Sequence, residues 1–335
     1  MMSPMISKPM TVSGEFQRIA RFFAPLAAGC DGADGLTDDA ASLTVPVGQD
    51  LIVSTDTIVE KTHYLGHEKP EAIASKLLRV TLSDLASKGA VPAWYTMNLA
   101  LPGRIDDAWL EAFCAGLAAD QDRYGVALAG GDTVKTDGPV VLTLTGFGLA
   151  PAGKVLRRRG AKPGDLLYVT GTIGDGALGL ECARGGFLEL DWSARNFLIG
   201  RYERPEPPVG LGAALIGIAD AAMDVSDGLI GDLMHMAEAS DVRAVVQATA
   251  VPVSDAAAEI LSECPDRLTT VLSGGDDYQI LAAVPPEKEE AVRSAAKEAG
   301  VAVACIGEFM EGKGVSVQDA DGQDIPIAQP GYSHS

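Results

Sequence analysis

Carboxylates recur in this chain beside glycine or a small hydroxyl residue, in well-separated sets: Asp38-Asp39, Ser54-Thr55-Asp56, Gly130-Gly131-Asp132, Asp224-Val225-Ser226-Asp227 and Gly274-Gly275-Asp276-Asp277. Small neighbours let a backbone approach a phosphate closely, and carboxylate oxygens suit magnesium, a hard ion that takes oxygen ligands in octahedral geometry. Any one set alone reads equally well as a turn, where Asp and Gly are common. Together they point to metal-assisted phosphate chemistry. Asp84 adds an element that turns do not cover, because it continues the helically spaced apolar stripe of Ile73, Leu77 and Val80, where a carboxylate needs a partner. No Gly-x-x-x-x-Gly-Lys-Ser/Thr loop or protein-kinase signature is present, so a phosphate enzyme of this composition has to rely on metal clamps.

Two other signals compete. Gly174-Asp175-Gly176-Ala177-Leu178-Gly179 matches the dinucleotide fingerprint formally, with Asp191 further on, but no clean second strand bearing a ribose-binding acid follows it, and a lone match is weak. His63 follows the Ser-Thr-Asp set, where a substrate phosphate could lie, although a lone histidine is more often structural; His67, His235 and His334 are read as structural or exposed, and Tyr64, Tyr278 and Tyr332 as packing residues.

The elements that must position these groups alternate in type. Leu43 to Val47 and Leu51 to Thr55 read as strands of a hairpin, Glu71 to Ala90 and Ala108 to Tyr124 as helices, and Val126 to Ala129 and Val140 to Leu149 as strands. Ala150 to Gly164, rich in glycine and basic residues, reads as a link. Beyond it come strands at Leu166 to Thr170, Ala221 to Val225 and Val242 to Gln247, and helices at Ala177 to Ala183, Leu229 to Ala239 and Glu287 to Ala299, with two short strands flanking Gly274 to Asp277. The expectation is a mixed α/β (α+β) chain of two domains, residues 1–150 and 151–335, with the carboxylates at strand ends that face a common edge.

Composition narrows the partners. The 335 residues are 47% hydrophobic and 21% charged, which suits two folded domains. With 26 Lys and Arg against 46 Asp and Glu the net charge is −20, which argues against nucleic acid or an anionic membrane as partner. No apolar run is long enough for a membrane helix, and Met1 to Met10 lack a basic flank with an apolar core, so a cytoplasmic location is expected. Cys30, Cys114, Cys182, Cys264 and Cys305 are odd in number, widely spaced and without a Cys-x-x-Cys pair, so they read as buried small hydrophobes.

The ordered series Asp38-Asp39-Ala40-Ala41, Ser54-Thr55-Asp56-Thr57, Leu82-Ser83-Asp84-Leu85-Ala86, Gly130-Gly131-Asp132-Thr133, Asp224-Val225-Ser226-Asp227-Gly228-Leu229 and Ser273-Gly274-Gly275-Asp276-Asp277-Tyr278, with Gly160 to Asp165 between, resembles the thiamine-monophosphate kinases, in the superfamily of aminoimidazole ribonucleotide synthetase and selenophosphate synthetase. The resemblance spans nearly the whole chain. It implies an N-terminal domain whose sheet forms a homodimer interface and a C-terminal domain closing over the site. It implies ATP as co-substrate, several Mg2+ ions, and thiamine monophosphate as acceptor. By motif position, Asp39, Ser54, Thr55, Asp56, Asp84, Asp132, Asp224 and Asp227 would be metal ligands. Gly131, Asp132, Arg158 and Ser226 would contact ATP, and His63, Asp276 and Tyr332 would face thiamine monophosphate. Thr37 stands where the family usually has glycine before its first Asp pair, and Asp276 where it usually has Glu.

No general base is expected, because the acceptor's phosphate, with a second pKa of about 6, is already largely ionised near neutral pH. Direct transfer from ATP is the mechanism expected. A selenophosphate synthetase-like enzyme, kept open by Cys30 near a glycine-rich loop, and a non-enzymatic nucleotide- or cation-binding protein are the alternatives.

Overall fold

The computed structural model describes residues 14–327 and 331; Met1 to Met10, Tyr332 and His334 lie outside them. After a short helix, α1 (Gly14–Arg18), the first sheet is built from β1 (Gln49–Val59), β2 (Val91–Pro102), β3 (Ala127–Thr136) and β4 (Val141–Pro151) in the order β1-β4-β2-β3. Its pairs are antiparallel except β2 with β3, which are parallel and joined through a helix, as parallel strands require. The helices α2 (Pro70–Ser87) and α3 (Asp107–Tyr124) cover one face, where Leu142, Leu144 and Leu99 pack against Leu77, Leu82, Leu85 and Phe113. The other face is open: Leu51, Val53, Val91 and Val134 are exposed upon it.

The second domain holds β5 (Leu166–Thr170), α4 (Asp175–Ala183), α5 (Trp192–Glu203), α6 (Val209–Gly212), β6 (Ala221–Val225), α7 (Leu229–Ser240), β7 (Arg243–Gln247), α8 (Asp255–Glu263), α9 (Leu268–Ser273), β8 (Gln279–Val284), α10 (Glu289–Ala299), β9 (Val303–Met310) and β10 (Gly314–Gln318). Its sheet runs β10-β7-β9-β5-β8-β6. Every residue of β6 and β8 is buried, because this sheet is covered on both faces. Leu281 and Ala283 pack into one core with α7 and α8, while Ile280, Ala282 and Val284 pack into another with α10.

The domains meet along α2. Ile73, Leu77, Leu78, Leu82 and Leu85 belong to the first core, whereas Ala86 packs into a core of the second domain, and Lys76, Arg79 and Ser83, with Lys88 just past its end, reach Asp276, Glu206, Asp224 and the Ala222 carbonyl there. Burial all round replaces the single stripe expected for this helix.

Three expectations need correction. Residues 41–46 form no strand, so the hairpin is absent: Pro46 and Gln49 close a turn, Leu43 packs beside Cys30 and Ala33, and β1 is an edge strand paired with β4 along its full length. Ser54-Thr55-Asp56 and Gly130-Gly131-Asp132 lie inside β1 and β3 rather than at their ends, because neighbouring strands continue alongside them. Gly274 to Asp277 follows a helix, α9, and leads into β8, so no strand precedes it. No helix among the described residues is long and apolar enough to cross a membrane.

Candidate active site

Alternation along β1 turns Ser54 and Asp56 toward α2. There the Ser54 hydroxyl donates to Asp84, and Asp56 is pushed up to about 6, first by burial and then by the charge of Asp84, with the Thr81 hydroxyl pulling the other way. From the second domain Asp224 accepts from the Ser83 hydroxyl at 2.9 Å; burial raises its pKa first, then Asp84 and Asp232. Strand β1, helix α2 and strand β6 thus bring Asp56 and Asp224 both within the field of Asp84. The nearby cation, Lys88, donates to the Ala222 carbonyl at 2.9 Å and is itself lowered by burial. Asp56 Oδ2 is buried without a hydrogen-bond partner. An unpartnered buried carboxylate oxygen among like charges calls for a cation, and an all-oxygen donor set suits magnesium. No three His, Cys, Asp or Glu side chains among the described residues already converge as a complete metal shell, so water would supply part of it, as is usual for this ion.

Asp56 also borders a cavity of about 790 Å³ between the domains, shared with His63, Ser226, Asp227 and Asp276. The Ser226 and Asp227 N–H groups both donate to Asp232 at 2.9 Å, which pins the turn after β6 to the first turn of α7; burial pushes Asp232 up to about 7. The next wall is a backbone of unusual shape. Asp276 and Tyr278 have φ of 73° and 52°, in the left-handed region that few non-glycine residues adopt. Their N–H groups bond to the carbonyls of Ser226 (2.9 Å) and Val225 (2.7 Å), and Gly275 lies so near Ser226 that a Cβ there would stand 2.4 Å from its carbonyl oxygen. This turn sends Asp276 into the cavity and Asp277 inward. On the facing wall His63 Nδ1 accepts from the Val59 N–H at 3.0 Å, and Tyr202 donates to the His63 carbonyl at 3.3 Å.

Other expected residues lie elsewhere. Thr55 borders the same cavity, but its hydroxyl is on the opposite sheet face, bonded to the Leu144 carbonyl (3.1 Å) and Thr145 (2.9 Å). Asp132 is on that open face too, level with Thr57 through Asn98 and Thr143, so about three strand spacings, ~14 Å, separate it from β1. Asp39 is exposed and borders, with Gly131 and Asp132, a second cavity of about 290 Å³ beside β3. Within β3, Gly131 is required by the close approach of β2: a Cβ there would stand 2.0 Å from the Met97 carbonyl oxygen. Arg158 is exposed but close enough to shift Lys88 and Asp232.

The family models for AIR synthase related proteins match this chain over both halves, the N-terminal domain at residues 37–150 and the C-terminal domain at 162–320. Thiamine-monophosphate kinase of Caulobacter vibrioides is 44% identical over 323 residues, 96% of this chain and 90% of that one. The chain belongs to the thiamine-monophosphate kinase family. Among solved structures, thiamine-monophosphate kinase from Stenotrophomonas maltophilia is similar with a TM-score of 0.80 at 38% identity, covering 87% of this chain and 91% of that one. A structure of AaThiL complexed with AMPPCP and TMP gives 0.77 at 28% identity, covering 89% and 91%.

Within a thiamine-monophosphate kinase fold, two decoys now have physical explanations. The Gly174 and Gly176 N–H groups, which would cradle a dinucleotide, are already taken by the Asp277 carboxylate at 2.7 and 3.1 Å; burial pushes that group up to about 8, against these two bonds. Cys30 is buried, with its thiol raised by burial, and does not present the exposed, activated sulfur of a selenophosphate-type site. Sequence reasoning missed Lys76, Lys88, Tyr202 and Asp232. Lys76 could have been found: it interrupts the apolar run from Ala72 to Leu78, where an ammonium has to have a partner.

Proposed function

We propose that this chain is an ATP-dependent kinase that converts thiamine monophosphate to thiamine diphosphate. The observation that carries the reading is the set of Asp56, Asp84 and Asp224, in which Asp56, with its buried unpartnered oxygen, borders an interdomain cavity large enough for a small organic phosphate. The names of the relatives, and the AMPPCP and TMP with which one neighbouring structure is complexed, support the choice of substrates.

Ser54, Asp56, Asp84, Asp224 and Asp227 would hold magnesium, with Asp39 joining from its loop; when bound, the metal offsets the repulsion between two anionic phosphates and favours in-line attack. Ser226 and Arg158 are proposed to face ATP, and His63 and Asp276 the acceptor. The acceptor phosphate needs no proton removed, so the chain's part is to bind, orient and exclude water. Tyr332, outside the described residues, keeps its proposed place beside the acceptor.

The open face of the first sheet supports a homodimer. Leu51, Val53, Val91 and Val134 form an exposed apolar surface on it, and patches of this kind mark association sites. Thr55, Gly131 and Asp132 are proposed to serve through that dimer, since Thr55 and Asp132 stand on the face a partner would cover. Residues 1–150 and 151–335 are the proposed domains. Five free cysteines suit a reducing compartment, and the cytoplasm is the proposed location.

The test is product chromatography with ATP, magnesium and a panel of acceptors. Thiamine monophosphate should yield thiamine diphosphate and ADP, and unphosphorylated thiamine should remain unchanged. Phosphorylation of thiamine at a comparable rate would overturn the assignment of a phosphate acceptor.

A further inference from the structure

Lys76 lines the interdomain cavity and yet is 2% exposed. An ammonium buried that deeply is costly unless other groups replace its water. Two groups of the second domain do so. Its Nζ lies 3.2 Å from Asp276 Oδ2 and 3.7 Å from the centre of the Tyr202 ring, a cation–π distance. Asp276 Oδ1 meanwhile accepts from the Tyr278 hydroxyl at 2.9 Å. Both oxygens of Asp276 are therefore oriented by neighbours, upon a left-handed backbone tied to Ser226.

Lys76 also shares α2 with Asp84. Eight residues of α-helix separate the two by about 12 Å and leave them on neighbouring faces. One rigid element thus carries both a carboxylate of the proposed metal site, near its C-terminal end, and, about two turns before it, the partner of Asp276.

We propose that Lys76 is a positioning residue for the acceptor: it holds Asp276 at a fixed place relative to Asp84, so that the acceptor is seated in register with the phosphoryl-transfer centre. The inference rests on the function proposed above and extends it to a residue with no assigned part. It differs from a purely structural part, in which the ion pair would only hold the domains together.

The experiment uses the full-length enzyme with each substrate varied at saturating levels of the other. Lys76→Met should raise KM for thiamine monophosphate about tenfold or more while KM for ATP stays within about twofold, the pattern expected when one substrate's seating is lost. Lys76→Arg, which keeps a cation able to stack on Tyr202 and pair with Asp276, should recover most of the loss. Because Lys76 acts through Asp276, adding Lys76→Met to an Asp276→Asn enzyme should change KM for thiamine monophosphate by less than about twofold. Should Lys76→Met not fold, the same comparisons are read on Lys76→Gln. Equal changes in KM for both substrates, no change in either, or full additivity with Asp276→Asn would overturn the proposal. No turnover of thiamine monophosphate by the unsubstituted enzyme would overturn the functional reading and this inference together, which separates that failure from one confined to Lys76.

Discussion

Replacing Asp56 with Asn should make the metal-free protein more stable and the enzyme nearly inactive. In the folded chain the Asp56 carboxyl is pushed from 3.8 up to about 6, by burial and then by Asp84. Between pH ~4 and ~6 the folded state therefore keeps a proton that the unfolded chain has released, so stability falls as pH rises through that window and stays reduced above it. About two pKa units at about 1.36 kcal/mol each amount to roughly 3 kcal/mol, and solvent at the cavity rim reduces this to about 2 kcal/mol. Asn keeps the shape without the charge and should recover that amount at pH 7.5. Urea unfolding in EDTA measures it; the gain should shrink toward pH ~4, where the native carboxyl is also neutral. With magnesium present, kcat/KM should fall about a hundredfold or more, a loss of at least about 2.7 kcal/mol of transition-state stabilisation. An Asn variant less stable than its parent at pH 7.5 in EDTA would refute the electrostatic reasoning. Retention of more than about a tenth of kcat/KM would remove Asp56 from the proposed metal site.

Two further outcomes follow from the fold. Val53→Asp puts a charge on the open sheet face beside Leu51, so sedimentation should show the proposed dimer shifted to monomer, and turnover should fall with it if Asp132 serves across the interface. Arg79 donates to both oxygens of the buried Asp120, at 2.8 and 3.0 Å, so Arg79→Met should cost about 3–5 kcal/mol in urea unfolding; replacing Asp120 with Leu in the same chain should restore much of that, because no charge is then left stranded.

Helices α2, α3, α4, α7 and α10 were readable because their apolar spacing and end signals are local, whereas α1, α5, α6, α8 and α9 were missed. Helix α3, for example, starts where Asp106 accepts from the Trp109 N–H and stops at Gly125 with φ 67°. The sets proposed to carry chemistry also stand out in the sequence, since small residues flank each carboxylate. Their placement was not. Asp56 and Asp132 look alike in sequence, each next to small residues near a strand, yet strand pairing puts them on opposite faces of one sheet. Nor does any local signal reveal that Asp277 turns inward while Asp276 faces the cavity: that division depends on left-handed backbone at residues 276 and 278, held by carbonyls of residues 225 and 226. Lys76 and Ser83 could be placed on a helix, but their partners lie 200 and 141 residues further on.

Helix α2 imposes a constraint of length on this chain. An α-helix turns by about 100° per residue, so one residue inserted between Lys76 and Asp84 would swing everything beyond it by that angle and carry Asp84, Ser83 and Lys88 away from Ser54, Asp224 and Ala222 together. No side-chain adjustment could restore all three contacts, because the helix is packed on every side. Insertions and deletions should therefore be tolerated in the loops around α2 but not within it, and the count of residues from 76 to 88 is as much a part of the proposed active centre as the identities of its carboxylates.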